Sequence, residues 1–540
     1  MLPADATVKP FLAADAHVQS SPVDRVGSLL APIPLAVFVS GVASMGLEIV
    51  AGRLLAPGFG SSVYVWGSII AVFLAALALG YWIAGKTAAA RASRAGLALA
   101  LVGAAAYVAF VMVFGETLVA MTEDLPIWRR FRPLVPVTLL FGPPTVLLGF
   151  VSPYGAELID ARSTGDASGQ VYALGTGGSI VGAFATTFVL VPEFGVLGME
   201  ALYGGLLVLA AVVVAPRSTR RPQLAAVVVG VAIVLAVLLG GVVPLQGSGT
   251  TVAQTQTEYQ ELRVADDGDV RTLWLDGVRH SAMFLDDPDR YVFEYTRYFH
   301  LPYLFQDDVD RVLFVGGGGF SGPKRFLAEY PNVTVDVVEL DPTVVDTARR
   351  HFDVPETDRL DVHVGDGRVF LADTTHTYDV IVLDAYRADR VPYHLTTVEF
   401  MRLVRSKLDA DGTLVANVIS APSGQSGAFY RAQYRTMEVA FPRVYSFPTS
   451  EASSVQNIML VATNADERVT RAELRRRNRQ RDVGVALAEA VSHYRASVET
   501  PDAPVLRDGH APVDSLLAEQ LGRRYIIERT VGNQTTAAAD

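Results

Sequence analysis

The sequence predicts a multi-pass α-helical membrane domain of about seven spans, followed by an α/β Rossmann-like domain with a small β-hairpin subdomain at its N-terminal side. Three observations carry this prediction. Apolar runs fill the chain up to about residue 245, polar and charged alternation then replaces them, and a strand–glycine–helix–strand–acid unit begins at residue 311. A chain of 540 residues is long enough for two or three domains.

The composition narrows the classes of function. The formal net charge of −11 argues against a nucleic-acid partner. The chain contains 0 cysteines, so disulfides and thiolate metal sites are excluded, and we expect no metal.

The membrane domain is predicted over residues 31–246, after a polar N-terminal tail at 1–30 that lacks the pattern of a signal peptide. A helix needs roughly 20 apolar residues to cross the hydrocarbon core of a bilayer. Runs of this length predict spans near residues 33–55, 62–84, 96–115, 133–155, 170–192, 195–215 and 223–245. Buried helices of soluble proteins do not recur at this length, so the pattern indicates a lipid bilayer as a partner.

Two charged residues lie in or near the end of the first span. Ionisable groups are costly in lipid and usually face a partner or a cavity. Glu48 and Arg53 therefore indicate either a polar site within the bundle or side chains that reach the membrane surface. The second interpretation suits Arg53, because Pro57 ends the helix just after it.

Two further features of the spans concern helix packing. Pro143 and Pro144 interrupt the fourth span, so neighbouring helices must satisfy the carbonyl groups that they free. Small residues at near-helical spacing between Gly175 and Gly182 predict a close helix–helix contact rather than a ligand site.

A β-hairpin subdomain is predicted over residues 250–290. The turn sequence at 266–268 lies between two alternating segments, and a second turn sequence occurs at 276–277. Aromatic residues at helical spacing follow over 291–305, among them Tyr295, and we expect some of them to pack against a sheet.

A Rossmann-like domain is predicted over residues 291–465. The buried strand Arg311–Val315 is followed at once by a run of glycines, of which Gly316 and Gly318 let the backbone approach a ligand closely. The next strand ends in Glu339, about 20 residues on, where a carboxylate accepts both ribose hydroxyls of a nucleoside.

Two further strands also end in polar groups. Leu360–Val364 leads into Asp366 and Gly367, and Asp366 is placed to accept a hydrogen bond from an adenine amino group. Tyr378–Leu383 ends in Asp384, which is either a helix N-cap or a functional carboxylate. Open α/β sheets bind ligands at the carboxyl ends of their strands, where all of these groups lie.

These motifs resemble a known family. The sequences GGG at 316–318, VEL at 338–340, VGDG at 364–367 and YDVIVLD at 378–384 resemble the successive motifs of spermidine synthase. The soluble resemblance runs from about residue 255 to 420 and implies a fold of the S-adenosylmethionine-dependent methyltransferase type. The whole chain resembles membrane-fused spermidine synthase-like proteins, through LE at 47–48, Arg53, GSSVY at 60–64 and PYHLTT at 392–397.

The resemblance implies a role for single positions. Gln260 contacts the amino-terminal side of the cofactor, Glu339 holds the ribose, and Asp366 and Gly367 hold the adenine. Asp384 is the general base that takes a proton from the attacking amine, since an ammonium is not a nucleophile. The implied donor is decarboxylated S-adenosylmethionine or S-adenosylmethionine, without a metal. Candidate substrate contacts are Tyr295, Tyr386, Arg387, His394 and, in the C-terminal helical extension and tail at 466–540, Asp508.

The sequence departs from the family at two positions. The family carries an aspartate after the third glycine, where it binds the ammonium of the donor's aminopropyl group, and this chain has Gly319. The family's acceptor loop has a second aspartate that is replaced here by Arg387, which would repel a polyamine. Both the donor and the acceptor therefore stay open, and a lipid-like or anionic acceptor is an alternative to an amine.

Three functions remain at this point. The first is a membrane-anchored aminopropyltransferase-like enzyme of polyamine biosynthesis. The second is an S-adenosylmethionine-dependent methyltransferase on the same fold. The third is a non-catalytic nucleoside-binding sensor or transporter, against which the presence of Asp384 argues, because binding alone needs no base. A homodimer is the expected assembly.

The expected location is the cell membrane, with the catalytic domain in the cytoplasm, where nucleoside cofactors are made. The distribution of basic residues disagrees with this orientation. It leaves Arg53, Arg129, Arg130 and Arg132 on the inner side, and Lys86, Arg91, Arg94, Arg162, Arg217, Arg220 and Arg221 on the outer side.

The charge of Arg387 generates a first prediction. For an anionic or lipid-like acceptor, we expect Arg387→Asp to lower transfer to that acceptor and to raise transfer to a diamine, because the substitution replaces a positive charge by a negative one. Product formation with each acceptor, assayed beside the unmodified chain, measures both changes. A variant that gains polyamine activity and keeps all of its native activity would contradict the idea.

Overall fold

The computed structural model describes residues 31–540 except 60–61, 123–124, 162, 219, 241–248, 387–390, 482, 521–524, 532–533 and 540. A helical bundle occupies the chain up to residue 240, and a region built on two β-sheets begins at residue 250.

The bundle consists of antiparallel apolar helices around a buried core that includes Leu47, Leu101 and Leu140. Its helices are α1 (Pro32–Phe59), α2 (Val63–Arg91), α3 (Arg94–Thr122), α4 (Leu134–Gly149), α5 (Val151–Leu158), α6 (Thr164–Ala185), α7 (Val191–Glu193), α8 (Val196–Val214) and α9 (Arg220–Gly240). In the described part of the chain, 6 helical stretches are long and apolar enough to cross a membrane. The seventh predicted span, 223–245, begins within α9 and ends outside the described residues.

The closest contact in the bundle joins α1 and α6. A Cβ atom on Gly178 would collide with the backbone oxygen of Phe38, and one on Gly182 would collide with that of Val42. Gly41 meets the backbone of Gly175 in the same way. The glycines of α6 thus let two helix backbones touch, as their spacing predicts.

The proline pair lies inside α4, and a neighbouring helix compensates for it. Pro143 has no N–H to bond to the carbonyl of Leu139, four residues before it. The hydroxyl of Tyr107, on α3, donates to that carbonyl at 2.6 Å. The expectation that another helix satisfies a freed backbone group is confirmed at this position.

The region after residue 250 contains a 4-stranded antiparallel sheet and a 9-stranded mixed sheet. The small sheet has the order β1-β2-β3-β4, with β1 (Thr250–Gln256), β2 (Glu261–Asp267), β3 (Val270–Leu275) and β4 (Val278–Phe284). The large sheet contains β5 (Arg311–Val315), β6 (Thr334–Glu339), β7 (Leu360–Val364), β8 (Tyr378–Leu383), β9 (Leu408–Ser420), β10 (Arg443–Pro448), β11 (Val455–Thr463), β12 (Tyr525–Val531) and β13 (Gln534–Ala539).

The order of the large sheet is β13-β12-β11-β9-β8-β5-β6-β7, with β10 paired to β11. The strands β5 to β9 are parallel to their neighbours, whereas β11 runs antiparallel to β9. The chain leaves β5 toward β6 on one side and reaches β8 on the other. This reversal opens a crevice at the carboxyl end of β5, the usual ligand site of such sheets.

Helices cover both faces of the large sheet. They are α10 (Ser321–Glu329), α11 (Pro342–His351), α12 (Gly367–Asp373), α13 (Val398–Ser406), α14 (Ala428–Ala440), α15 (Arg471–Gln480), α16 (Ala488–Ser492) and α17 (Val513–Leu517). A 3-10 segment, Glu294–Leu304, occupies the aromatic stretch, and Tyr298 and Phe299 are buried in it against the sheet. The small sheet packs through Leu262 and Leu273 on Phe352 and Val344 at α11. These layers are those of a Rossmann-like domain of the methyltransferase type.

The bundle and the sheet region contact each other through the ends of α1 and α2. The guanidinium of Arg53 donates to the carbonyl of Glu258, in the turn between β1 and β2, at 2.9 Å. Tyr64 shares a hydrogen bond of 3.0 Å with Ser515, and the amide of Val63 donates to Asp514 at 3.3 Å. Arg53 thus reaches beyond the apolar part of its helix, in line with the second interpretation of this residue.

We predict that Arg53 holds the turn at Glu258 against the bundle. In Arg53→Leu, loss of a charged donor, worth about 1 kcal/mol at an exposed site, should raise amide hydrogen exchange of residues 257–261 about fivefold. Mass spectrometry on the detergent-solubilised full chain measures this exchange. Arg130→Leu is the control, because Arg130 lies over Trp128 instead. Equal exchange in both variants would show that Arg53 does not restrain the turn.

Candidate active site

The candidate site begins with the glycine loop after β5. Gly316 and Gly318 have φ angles of 103° and 48°, in the left-handed region that favours glycine. A Cβ atom on Gly316 would lie 2.5 Å from the carbonyl oxygen of Asp384. The loop therefore passes directly over the end of β8, and glycine is required at its first position.

Glu339, at the end of β6, lies against this loop. One carboxylate oxygen accepts hydrogen bonds from the amides of Gly317 at 2.9 Å and Gly318 at 3.2 Å. The other accepts from the amide of Asp341 at 3.1 Å. Burial raises the pKa of Glu339, and these three amides act against that rise. The carboxylate is thus oriented at the crevice, and its contact with a ribose stays a prediction.

Asp366 begins α12 as its N-cap. One of its oxygens accepts from the amides of Arg368 at 2.9 Å and Val369 at 3.0 Å, and the other lies 2.9 Å from Nε2 of His394. Burial alone would raise the pKa of Asp366, but the hydrogen bonds from Val369, His394 and Arg368 lower it overall. A side chain on Gly367 would collide with Val315 of β5. Asp366 already has these partners in the protein, so its contact with an adenine stays a prediction.

Asp508 forms an ion pair that ties the C-terminal extension to α12. The guanidinium of Arg368 donates to its two oxygens at 2.7 and 2.6 Å, and Thr397 donates at 2.7 Å. The hydrogen bond from Arg368 lowers the pKa of Asp508 to about 2. Arg368 also donates to the carbonyl of His394 at 3.0 Å, so the pair holds this segment in place.

Asp384 faces a cavity of about 50 Å³ between β4, the glycine loop and the ends of β8 and β9. Burial raises the pKa of Asp384 to about 6, against a hydrogen bond of 2.7 Å from the side chain of Asn417. The cavity is lined by Val278, Arg279, His280, Ser281, Phe293, Tyr295, Gly317, Gly318, Asp384, Tyr386, Asn417, Ile419, Asn457 and Tyr525. Among these lining residues, Asp384 is the only acid.

Only two of the other candidate substrate residues are found in the described lining of this cavity. Tyr295 and Tyr386 line this cavity, and the hydroxyl of Tyr386 donates to the carbonyl of Leu395 at 2.7 Å. His394 and Asp508 are absent from the described lining. Arg387 lies outside the described residues.

Gln260 lies in the turn between β1 and β2. Its carbonyl accepts from the amide of Thr257 at 2.9 Å, and its amide donates to the hydroxyl of Thr257 at 3.0 Å. Burial raises the pKa of the adjacent Tyr259, and charges that include Asp341 and Asp366 raise it further. The contact of Gln260 with a donor stays a prediction.

Sequence reasoning missed several residues of the site. Strand β4 brings Arg279, His280 and Ser281 to the glycine loop, and Ser281 accepts a hydrogen bond of 2.9 Å from the amide of Gly319. The isolated asparagines of β9 and β11, Asn417 and Asn457, were visible signals, since each interrupts an apolar strand. No local pattern marks Tyr525 or Ser281.

The position of Gly319 explains one departure from the family pattern. A Cβ atom there would lie 2.8 Å from Cβ of Ser281 and 3.2 Å from the ring of Phe352. Strand β4 therefore occupies the space that an aspartate side chain would need.

A family model for the spermine/spermidine synthase domain matches residues 293–470. The polyamine aminopropyltransferase of Vibrio vulnificus is 30% identical over 226 residues, which are 40% of this chain and 74% of that protein. The chain belongs to the spermine/spermidine synthase family. The predicted enzyme class, a transferase, is confirmed.

The chain is also similar to a second bacterial protein and to two proteins with solved structures. A probable polyamine aminopropyl transferase of Bifidobacterium longum is 28% identical and is covered over 49% of its length. A probable spermidine synthase of Corynebacterium glutamicum has a crystal structure with a TM-score of 0.40 and 22% identity, covering 49% of this chain and 98% of that one. The crystal structure of human methyltransferase-like protein 13 in complex with SAH matches with a TM-score of 0.30 and 22% sequence identity. The match covers 38% of this chain and 94% of that one.

The approach of Gly316 to Asp384 generates a prediction. Gly316→Ala should lower the stability of the sheet region by about 1 to 3 kcal/mol, because the new Cβ meets a carbonyl oxygen and the φ angle is unfavourable. Thermal unfolding of the purified chain measures the loss.

The control is Gly509→Ala, where an added Cβ meets nothing within 4 Å. An unchanged midpoint in Gly316→Ala would mean that the glycine loop does not pass over the end of β8 as described.

Proposed function

We propose that the protein is a membrane-anchored aminopropyltransferase-like enzyme that transfers a propylamine group from a decarboxylated S-adenosylmethionine-type donor to an amine. The observation that carries the proposal is the carboxylate of Asp384. It is the only acid among the described residues that line the cavity, and it lies beside the glycine loop of a family transferase.

The proposed reaction is a displacement at carbon. The amine nitrogen attacks the propyl carbon bound to the sulfonium, a C–N bond forms, and the C–S bond breaks with its electron pair moving to sulfur. The amine first transfers a proton to Asp384. A base with a pKa of about 6 is ionised at neutral pH and still accepts a proton, which suits this role.

The donor's nucleoside is assigned to the ends of β5, β6 and β7. Glu339 would accept the ribose hydroxyls, Asp366 and Gly367 would border the adenine, and the turn at Gln260 would close over the donor's amino end. Backbone amides already orient both oxygens of Glu339. The oxygen that bonds only to the amide of Asp341 retains a lone pair for a hydroxyl. This arrangement supports an adenosine-containing donor.

The amino end of the donor lacks the family's usual partner. Since Ser281 fills the space beside Gly319, no aspartate could be accommodated there without moving β4. Asp384, the one acid among the described lining residues, is assigned to the acceptor amine, and Arg279 lines the same cavity. Arg279 is a suitable partner for the carboxylate of S-adenosylmethionine itself. The decarboxylated donor has no carboxylate and does not need this partner.

The bundle is proposed to anchor the enzyme as a multi-pass membrane protein. Support comes from the 6 apolar helical stretches in the described part of the chain and from the contact of Arg53 with the turn that contains Gln260. The contacts at the end of α1 and the start of α2 support a catalytic domain held close to one face of the bundle.

The proposal predicts a separation of binding from chemistry in Asp384→Asn. Turnover should fall by about 10²- to 10⁴-fold, because the general base is lost, while donor affinity changes by less than about threefold. The pH profile of kcat/KM for the unmodified enzyme should fall below a pH of about 6, where Asp384 becomes protonated.

Calorimetry on the detergent-solubilised full chain compares decarboxylated S-adenosylmethionine with S-adenosylmethionine. Asp361→Asn, at an exposed acid of β7, is the control and should leave both turnover and binding unchanged. Tighter binding of the decarboxylated form supports the proposal. Tighter binding of the carboxylated form, or full activity in Asp384→Asn, would overturn it.

A further inference from the structure

Polar side chains form a continuous row across four neighbouring strands at the cavity. The side chain of Asn417, on β9, donates to Asp384 at 2.7 Å, and Asn457, on β11, donates to Asn417 at 2.9 Å. The hydroxyl of Tyr525, on β12, donates to Asn457 at 2.7 Å. The row connects the end of β8 with a strand 141 residues later in the chain (525 − 384).

The direction of this row follows from chemistry alone. An ionised carboxylate only accepts hydrogen bonds, so Asn417 must present its NH₂ group to Asp384. Its carbonyl then faces Asn457, which must also present an NH₂ group. The carbonyl of Asn457 is left facing Tyr525, and only a hydroxyl that donates satisfies it. The charge of Asp384 thus determines the orientation of both amides.

We propose that Tyr525, Asn457 and Asn417 form a directed hydrogen-bond chain that positions the carboxylate of Asp384 and favours its ionised form. The inference rests on the proposed role of Asp384 as a base. Strand β12 thereby completes the active site, and Tyr525 is a positioning residue that acts through the two asparagines.

Burial makes the hydrogen-bond chain important for the state of Asp384. Asn417 and Asn457 are each only 2% exposed, so water does not replace a missing partner. A chain in which every donor points the same way is polarised toward its acceptor, which strengthens the last bond. With one oxygen of Asp384 held by Asn417, the other is left to face the cavity and the substrate amine.

Other titratable groups also face Asp384. Arg279 and His280 line the cavity from β4, Tyr295 from the 3-10 segment, and Tyr386 from the chain after β8. Burial raises the pKa of both Tyr295 and Tyr525, and the charge of Asp384 raises each further. The coupling between Tyr525 and Asp384 is therefore electrostatic as well as structural.

The test uses Tyr525→Phe, which removes the hydroxyl and keeps the ring. The acid limb of the kcat/KM profile should move up by roughly half to one pH unit, because the ionised carboxylate loses support. The rate should therefore fall several-fold at pH 6 and by less than twofold at pH 8. A loss of equal size at all pH values would overturn the proposal.

The matched control is Tyr430→Phe. Its hydroxyl is also buried and bonds to Ser446 at 2.7 Å, away from the lining of the cavity. This variant should lose stability without any shift of the pH profile. An equal shift in both variants would assign the effect to general loosening of the sheet and overturn the proposal.

A measurement without turnover separates this inference from the proposed function. The pKa of Asp384 is raised in the folded state, so its contribution to stability is fully present below a pH of about 4 and is lost as the pH rises through about 6. In Tyr525→Phe this loss should extend to higher pH, and in the Asp384→Asn background the effect of Tyr525→Phe should not depend on pH.

Thermal unfolding over pH 4 to 8 is measured for the unmodified protein, Tyr525→Phe, Asp384→Asn and the double variant, which together form a double-mutant cycle. If the effects of Tyr525→Phe and Asp384→Asn on stability are coupled in a pH-dependent way, but the protein catalyses no transfer, the proposed function is refuted and the hydrogen-bond chain is supported. Transfer activity without any such coupling would refute the hydrogen-bond chain and keep the function.

Discussion

The position of β5 between β6 and β8 is the constraint on which the site depends. Backbone hydrogen bonds continue past the strand ends: the amide of Gly316 donates to Val338 at 2.9 Å, and the amide of Asp384 donates to Val315 at 2.9 Å. These bonds hold the glycine loop and Asp384 next to each other at the carboxyl edge of the sheet. Because a Cβ at Gly316 would strike Asp384, the same constraint also determines the residue type in the loop.

The second organising feature is the contribution of distant elements to this edge. Strand β4 covers the glycine loop through Ser281, the C-terminal extension fixes α12 through the pair of Arg368 and Asp508, and β12 reaches the cavity with Tyr525. The end of α1 holds the turn before Gln260. The helical bundle, the small sheet and the extension therefore all contribute contacts around one crevice.

The packing around Gly319 accounts for one of the departures from the family pattern. At Gly319, Ser281 of the small sheet and Phe352 occupy the space that a side chain would need, so their packing excludes an aspartate. The cavity that remains combines one acid with Arg279, a charge pattern that a donor and an acceptor of this enzyme must match.

The sequence by itself determined the apolar helices, the strands β5 to β8, the glycine loop and the acids Glu339, Asp366 and Asp384 at strand ends, because periodicity and turn chemistry are local properties. The tertiary structure alone decided which polar groups meet. The partners of Asp384, the pairing of Asp508 with Arg368, and the seat of Ser281 beside Gly319 depend on strand order and register across long stretches of chain. No local pattern encodes such meetings, because a side chain's partner is set by the neighbouring strand and not by its own.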